Sequence, residues 1–360
     1  MRIHHLVSDA FSFGLIYRDL AERYRAYAEN KPYNHSFGDY AAVLEEERKY
    51  PTTKVYEDDR AFWLNKMEGK EAVSLTGRAV SDFGDCIVER SPIGQGLWTK
   101  LQRKAKQLKV NAQQLFTAAV ALYTERLTSA GMVILNIPMM GRIGTKAVNV
   151  PCTRVNTIPL LIDVKDEDTF ASLCRRVKME MKEAAKHQFY RHEQLRRDLN
   201  LASDDLLYGP QVNFMPFYEE LDFGTAIGHI EKVATGPVED IAFNVYGSEE
   251  GIQLDLAANS LCYTVQEVKG HAARFRLFLK ELLAADDPEI YNVPVISEQD
   301  RHRQLEDWNN YEKSNRKNTV YELFELQARK TPDKIAIEMG NQSITSVSYT
   351  HLTLPTMAVV

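Results

Sequence analysis

The side chains best suited to chemistry stand almost at the start of the chain, in the run His4-His5-Leu6-Val7-Ser8-Asp9. An unperturbed imidazole titrates near neutrality and can accept a proton from an amine or alcohol attacking a carbonyl. Residues 1–8 read as a strand end running into a loop, a place that can hold an imidazole rigidly at a cleft. Asp9 can fix that loop, orient a histidine, or cap the helix that the next residues predict. On spacing alone the plainer alternative is favoured: one histidine packs, the other is exposed, and Asp9 is a cap.

The elements that must position this run are legible from periodicity. Phe13, Ile16, Leu20 and Tyr24 recur at helical spacing and predict an amphipathic helix. Residues 30–60 are turn-rich, and a helical stretch then passes through Trp63. Residues 99–108 and 111–127 predict two further helices, 133–137 a buried strand and 154–164 another. Residues 168–187 predict a long helix with Asp168 as its N-cap, and 192–199 a short one. A strand over 211–217 and a hairpin over 240–246 and 252–258 follow, then a helix over 265–284. Beyond a polar stretch around Trp308, a helix from Val320 and a strand from Lys334 to Glu338 begin again. The order is mixed α/β, with long helices covering a sheet.

Composition narrows the function class. The 360 residues are 44% hydrophobic and 26% charged, with a net charge of -6 and no Lys/Arg block, which argues against nucleic acid. The four cysteines, Cys86, Cys152, Cys174 and Cys262, form no CxxC pair and lie near no histidine at ligand spacing. They read as reduced packing thiols of a cytoplasmic protein, with no metal site. No apolar run reaches membrane-spanning length and no signal peptide is visible, so no membrane partner is expected.

The histidine run resembles the His-His-x-x-x-Asp-Gly motif of the chloramphenicol-acetyltransferase-like superfamily, specifically the condensation domains of nonribosomal peptide synthetases. Further matches follow in the family's order. Gly38-Asp39-Tyr40-Ala41 resembles its Tyr-Ala segment, and Asn136-Ile137-Pro138-Met139-Met140-Gly141-Arg142 the segment before its Asn-Thr motif. Val155-Asn156-Thr157-Ile158-Pro159-Leu160 matches that motif. His187-Gln188-Phe189-Tyr190 resembles the His-Gln segment, and Gln211-Val212-Asn213-Phe214 the later strand motif. Residues 139–144, 187–198 and 234–240 are similar to condensation domains of catechol-siderophore synthetases, which receive an aryl acid. Leu323-Phe324-Glu325, Thr331-Pro332-Asp333 and Ile335-Ala336 resemble the start of an adenylation domain.

The resemblance implies a chloramphenicol-acetyltransferase-like two-lobed α/β fold. It also implies a layout of condensation domain at 1–290, linker at 291–318 and AMP-binding adenylation start at 319–345. Because the family's domain begins well before its histidine motif, most of the N-terminal lobe is expected to be missing. With it would go the upstream arginine that pairs with the motif aspartate, leaving Asp9 without a partner and the fragment inactive. Ala10 replaces the family's glycine, and Leu161 stands where many members carry arginine. Val347-Ser348-Tyr349-Thr350-His351-Leu352 resembles a translated sequencing adapter, so residues 346–360 are expected to be a non-native tail.

The implied reaction joins a carrier-bound acyl thioester to a carrier-bound amino acid as an amide. Upstream donor and downstream acceptor carrier proteins would deliver both on phosphopantetheine arms, with no cofactor bound by the domain and the adenylation domain as a neighbour in the chain. His5 would face the amine, His4 would be structural and Asp9 an organiser. Asn156, Thr157 and Asn213 are tunnel-lining candidates for which strand packing is at least as good a reading. His187 is expected to contact a helix C-terminus or make a surface hydrogen bond, and Asp286-Asp287 to be solvated linker charge. An epimerisation domain shares the histidine motif, a stand-alone acyltransferase of the superfamily would lack the adenylation start, and a carrier-docking platform would need no chemistry.

Overall fold

In a computed structural model the described residues are 4–34, 37–78, 82, 84–215, 220–230, 236–248, 251–309 and 319–353. The chain divides into two compact units, Met1–Ser297 and Glu298–Val360.

The first unit begins with three helices, α1 (Ala10–Ala28), α2 (Tyr40–Lys49) and α3 (Lys54–Met67). Each is opened by a side chain that accepts from a first-turn N–H: Asp9, Asp39 and Thr53. Strand β1 (Cys86–Pro92) leads into α4 (Gln95–Gln107) and α5 (Ala112–Thr128). Strands β2 (Met132–Met139) and β3 (Asn156–Asp163) follow, then helices α6 (Phe170–Ala184) and α7 (His192–Asp198). After β4 (Gln211–Met215) come the short β5 (Leu221–Asp222) and β6 (Ile227–Gly228), the hairpin β7 (Ile241–Ser248) and β8 (Gly251–Asn259), and α8 (Val265–Ala284).

Six strands form one mixed sheet in the order β1-β8-β7-β4-β2-β3. The β1–β8, β8–β7 and β2–β3 pairs are antiparallel. β4 runs parallel to both of its neighbours. Helices α4, α5, α6 and α8 share one large core with the sheet. Every residue of α5 from Leu115 to Glu125 is buried, which fits a stretch that is apolar but for Thr117, Tyr123, Thr124 and Glu125. Its Asn111 and Gln114 close a capping box, and Thr264 with Glu267 closes another on α8. Phe243, Phe275 and Tyr123 form the aromatic centre, with Phe243 and Phe275 ring centroids 4.8 Å apart.

Ionisable groups lie inside this core, His271, Asp240 and Lys104 among them. Burial, with Arg274 adding to it, pushes His271 down to about 4, while its Nδ1 lies 3.0 Å from the Tyr123 hydroxyl. Burial raises Asp240 to about 6 despite hydrogen bonds from Tyr263 and Ser74. Lys104 Nζ donates to the Ala285 and Asp286 carbonyls at 3.0 and 2.5 Å, satisfying the C-terminal end of α8.

Several expectations are corrected. Residues 5–7 form an exposed turn, in the loop part of the expected strand-to-loop stretch, while residues 1–3 lie outside the described residues. Helix α1 buries Ser12, Asp19 and Ala21, while Leu20 and Tyr24 are half exposed, so its apolar stripe is not its packed face. On its buried side Asp19 accepts from Tyr33 and from Arg23 of the same helix, beside the buried Ala21. Helix α2 occupies part of the stretch read as turn-rich. Thr169, not Asp168, caps α6; Asp168 is instead paired with Arg176. Residues 216 and 217 of the expected strand lie outside the described residues.

The second unit contains α9 (Glu298–His302), a π-helical turn over Arg303–Asp307, and α10 (Val320–Lys330). A hairpin of β9 (Ile335–Met339) and β10 (Gln342–Thr345) leads to α11 (Ser346–Thr353). Residues 310–318 and 354–360 lie outside the described residues. Among the described residues no helix is long and apolar enough to cross a membrane.

Candidate active site

Asp9 is the fixed point of the histidine run. Its residue is 3% exposed, and its carboxylate is saturated. Oδ1 accepts from Ser12 N and Arg142 Nη2, each at 2.9 Å, and lies 2.9 Å from Ser12 Oγ. Oδ2 accepts from Arg142 Nη2 at 3.0 Å, Arg154 N at 2.9 Å and Val155 N at 3.2 Å. Burial alone would raise this carboxyl. The Arg154 and Ser12 N–H donors and the Arg142 guanidinium outweigh that cost and hold it below the usual aspartate range.

Asp9 therefore has a buried arginine partner, contrary to the expectation that it would lack one. Arg142 lies in the loop after β2, within the segment whose Met-Gly-Arg spelling was visible in the sequence but to which no role was given. Its Nη1 donates to the Ala147 and Val150 carbonyls at 2.6 and 2.9 Å, and its Nη2 to Cys152 O at 2.5 Å. Its guanidinium also sits 4.8 Å from the Phe11 ring centroid. One side chain thus ties the start of α1 to the whole loop from Ala147 to Cys152. Ser12 adds a second knot, donating to Cys152 O and accepting from Cys152 N at 2.6 and 2.9 Å.

A second buried arginine, Arg154, extends the lattice. Its Nε donates to Gly141 O at 3.1 Å, and its Nη atoms pair with Glu46 and Glu47 of α2. Gly141 has φ +58, and a Cβ there would meet Arg154 O at 3.0 Å, so this position needs glycine twice over. Beside it lies a cavity of 360 Å³ whose walls include Glu47, Tyr50, Ile143, Arg154 and Phe189, but not His4, His5 or Asp9.

The histidines stand on the exposed turn in front of α1. His4 Nδ1 accepts from Leu6 N at 3.2 Å, which occupies one of the two ring nitrogens. His5 is reached through its main chain: Thr153 Oγ1 donates to its carbonyl at 2.5 Å.

The remaining sequence candidates are not gathered around His5. Asn156 is buried, and its Nδ2 donates to the Gln188 and Tyr190 carbonyls, both at 2.8 Å. Its Oδ1 accepts from His192 N at 3.3 Å, so the amide pins the segment leading into α7. Thr157 Oγ1 lies 3.1 Å from the Tyr208 hydroxyl. Asn213 sits directly opposite Asn244 on the neighbouring strand and hydrogen-bonds Tyr246.

His187 is not a helix-end contact. Its Nδ1 is 2.7 Å from the buried Asp59 Oδ1 and its ring stacks on Phe62 at 3.9 Å, joining the short 3-10 turn after α6 to α3. Asp287 is not simply solvated either, because its Oδ1 accepts from Ala171 N at 2.9 Å at the start of α6; the Asp286 side chain is exposed. Among the described residues no group of histidine, cysteine and acidic side chains could hold a metal ion.

Comparison with known proteins identifies the family of the chain. The condensation-domain family model matches residues 1–305. A dimodular nonribosomal peptide synthase of Bacillus subtilis (strain 168) is 33% identical over 341 residues, covering 93% of this chain and 14% of that protein. Enterobactin synthase component F of Escherichia coli (strain K12) is 28% identical over 346 residues, covering 93% of this chain and 26% of that protein. The solved first condensation domain of the calcium-dependent antibiotic synthetase, in complex with a substrate analogue, superposes with a TM-score of 0.75 at 30% identity. That match covers 82% of this chain and 66% of the solved one, so the chain spans a minor part of the synthetases and just under two thirds of the solved domain.

Proposed function

Because the chain belongs to the condensation-domain family of nonribosomal peptide synthetases, we propose that it supplies the amide-forming step between two carrier-bound substrates. The acceptor amine attacks the carbonyl carbon of the donor thioester. The new C–N bond forms, the C–S bond breaks, and the proton lost by the amine ends on the departing thiol. The thioester is already activated, and no metal or cofactor is required of this domain. Donor and acceptor carrier proteins bring the substrates on phosphopantetheine arms.

The single observation that carries this reading is the saturated Asp9–Arg142 pair, which fixes the head of α1 directly after the turn bearing His5. A carboxylate with every lone-pair direction taken organises the site and does not carry protons. His5 is assigned to the amine, as base or as hydrogen-bond partner of the tetrahedral intermediate. The Leu6 N–H on His4 supports a structural role for that ring. Asn156, with its carbonyl partners, is read as structural, and Thr157 and Asn213 as wall residues.

Similarity to enterobactin synthase component F supports a part in siderophore assembly, and the resemblance of residues 139–144 and 187–198 to catechol-siderophore synthetases supports an aryl-acid donor. The Ala234 and Thr235 positions of the siderophore-like segment lie outside the described residues. Residues 319–345 are proposed as the opening of the adjoining adenylation domain.

The test is amide formation by the parent module carrying this domain, with carrier-loaded 2,3-dihydroxybenzoyl donor and a loaded amino-acid acceptor, wild type against His5→Ala. Product from wild type and a large loss in the variant support both the reaction and the role of His5. Product with a different acyl donor alone removes the aryl-acid assignment. No product from a folded module with any of a panel of donors removes the reaction itself. A rate profile that loses its acidic limb in His5→Ala distinguishes a base from a hydrogen-bond donor.

A further inference from the structure

The turn that carries His5 has little to hold it by burial: Leu6 is 81% and Val7 60% exposed. Val7 N–H donates to His4 O at 3.0 Å, which closes the turn on itself and does not attach it to the rest of the domain. Attachment comes from the segment just before β3. There Arg154 N and Val155 N donate to Asp9 Oδ2, at the helix end of the motif. One residue earlier, Thr153 Oγ1 donates to the His5 carbonyl at 2.5 Å, at the turn end. Three consecutive residues therefore clasp the motif at both flanks.

We infer that Thr153 is a positioning residue for His5, its hydroxyl fixing the His5 peptide plane and so the place from which the imidazole reaches the substrate. This rests on the role given to His5 above. Thr153 suits the task because the chain is held on both sides of it, at Cys152 before it and at Arg154, whose N–H is bonded to Asp9 Oδ2, and Asn156 after it. Cys152 N and O are bonded to Ser12 Oγ, and Asn156, with both ends of its amide engaged, starts β3. Threonine is also stiff at χ1, so its hydroxyl direction follows from its backbone. With the His5 carbonyl held, the imidazole keeps only its own two side-chain torsions. With the carbonyl free, the peptide can rotate and carry the ring off by an ångström or more, a displacement that costs catalysis far more than it costs folding.

The test compares Thr153→Val, which keeps the shape and removes the donor, with Thr153→Ser, which keeps the donor. In the intact chain, histidine-selective labelling reads the imidazole resonances of His5, assigned with His5→Gln. In the parent module, amide formation is measured under varied acceptor concentration. The expected result is shifted and broadened His5 resonances in Thr153→Val, and a kcat lowered roughly three- to tenfold, the size of one hydrogen bond. KM and the unfolding midpoint are expected to stay unchanged, and Thr153→Ser to restore both the resonances and kcat. Unchanged His5 resonances and unchanged kcat in a folded Thr153→Val overturn the inference. So does a fall in kcat that follows the unfolding midpoint and is not restored by serine. A wild-type module that forms no amide refutes the proposed reaction, while the resonances still report whether Thr153 holds His5. Should Thr153→Val not fold, Thr153→Ala gives the same two readings.

Discussion

Replacing Arg142 with methionine keeps most of the side-chain volume and removes the guanidinium that Asp9 faces. Three consequences follow from the contacts. The Asp9 carboxylate loses two bonds, at 2.9 and 3.0 Å, and remains buried with only N–H and hydroxyl donors. The Ala147 and Val150 carbonyls lose the donor that Arg142 Nη1 supplies to them, and Cys152 O keeps only Ser12 Oγ of its two side-chain donors. Breaking a buried ion pair from one side costs about 3–5 kcal/mol, and each carbonyl left buried and unpaired costs about 1–3 kcal/mol more. Loop relaxation recovers part of the sum, so about 4–5 kcal/mol is expected, a large share of the roughly 5–15 kcal/mol that holds a domain folded. Asp9→Asn keeps the shape but turns an amide N–H toward donors, and is expected to cost about 3 kcal/mol. The double variant is expected to be less destabilised than the sum by about 2 kcal/mol. The assay is urea unfolding of the intact chain followed by the fluorescence of the core residues Trp63 and Trp98. Additivity within about 0.5 kcal/mol would mean that the two side chains are not energetically coupled and would refute the anchoring role. Because the Asp9 carboxyl is lowered in the fold, its contribution is present above its unfolded pKa and is lost as pH falls through the lower folded value.

The core histidine and aspartate oppose one another with pH. The folded value of His271 is depressed from 6.5 to about 4, so its stabilisation is present above pH 6.5 and falls away toward pH 4, by about 3 kcal/mol. The folded value of Asp240 is raised from 3.8 to about 6, so its contribution runs the other way, complete below pH 3.8 and lost as pH rises through 6. Denaturation of His271→Phe across pH 4–7 is expected to expose the Asp240 limb, with stability rising as pH falls; a wild-type-like profile would contradict it. Lys104→Met leaves the Ala285 and Asp286 carbonyls without their donor and is expected to cost about 2–3 kcal/mol, with faster amide exchange at the end of α8. Gly141→Ala must accept both a positive φ and a 3.0 Å approach to Arg154 O, and is expected to lower the unfolding free energy by about 2–3 kcal/mol. Asn156→Ala frees the Gln188 and Tyr190 carbonyls and is expected to make the segment before α7 a new site of limited proteolysis, at a cost of about 2–4 kcal/mol.

Periodicity and turn chemistry carried the mixed α/β character, helices α4 through α8 and the β7–β8 hairpin, because these elements are long or sharply bounded and bury one or all of their faces. The histidine run and its family were legible from local spelling. Helix α1 was misread at its face. Its most buried face carries Ser12, Asp19 and Ala21, and an apolar stripe cannot report a face held by hydrogen bonds such as those of Ser12 to Cys152, 140 residues on, and of Asp19 to Tyr33. The Asp9–Arg142 pair spans 133 residues. Nothing in either segment's local pattern says that the two meet, although a basic residue beside an obligatory glycine in a loop was a signal available to be used. Thr153 gave no signal at all, being an ordinary threonine before a strand. The sequence by itself determined the elements and the chemical groups, since those follow from local backbone preference and residue type. Only the tertiary structure decided which of those groups face one another. The return of the chain from β2 to β3 sets Arg142 and residues 152–155 against the head of α1, and desolvation there turns unremarkable side chains into a fixed mount for His5.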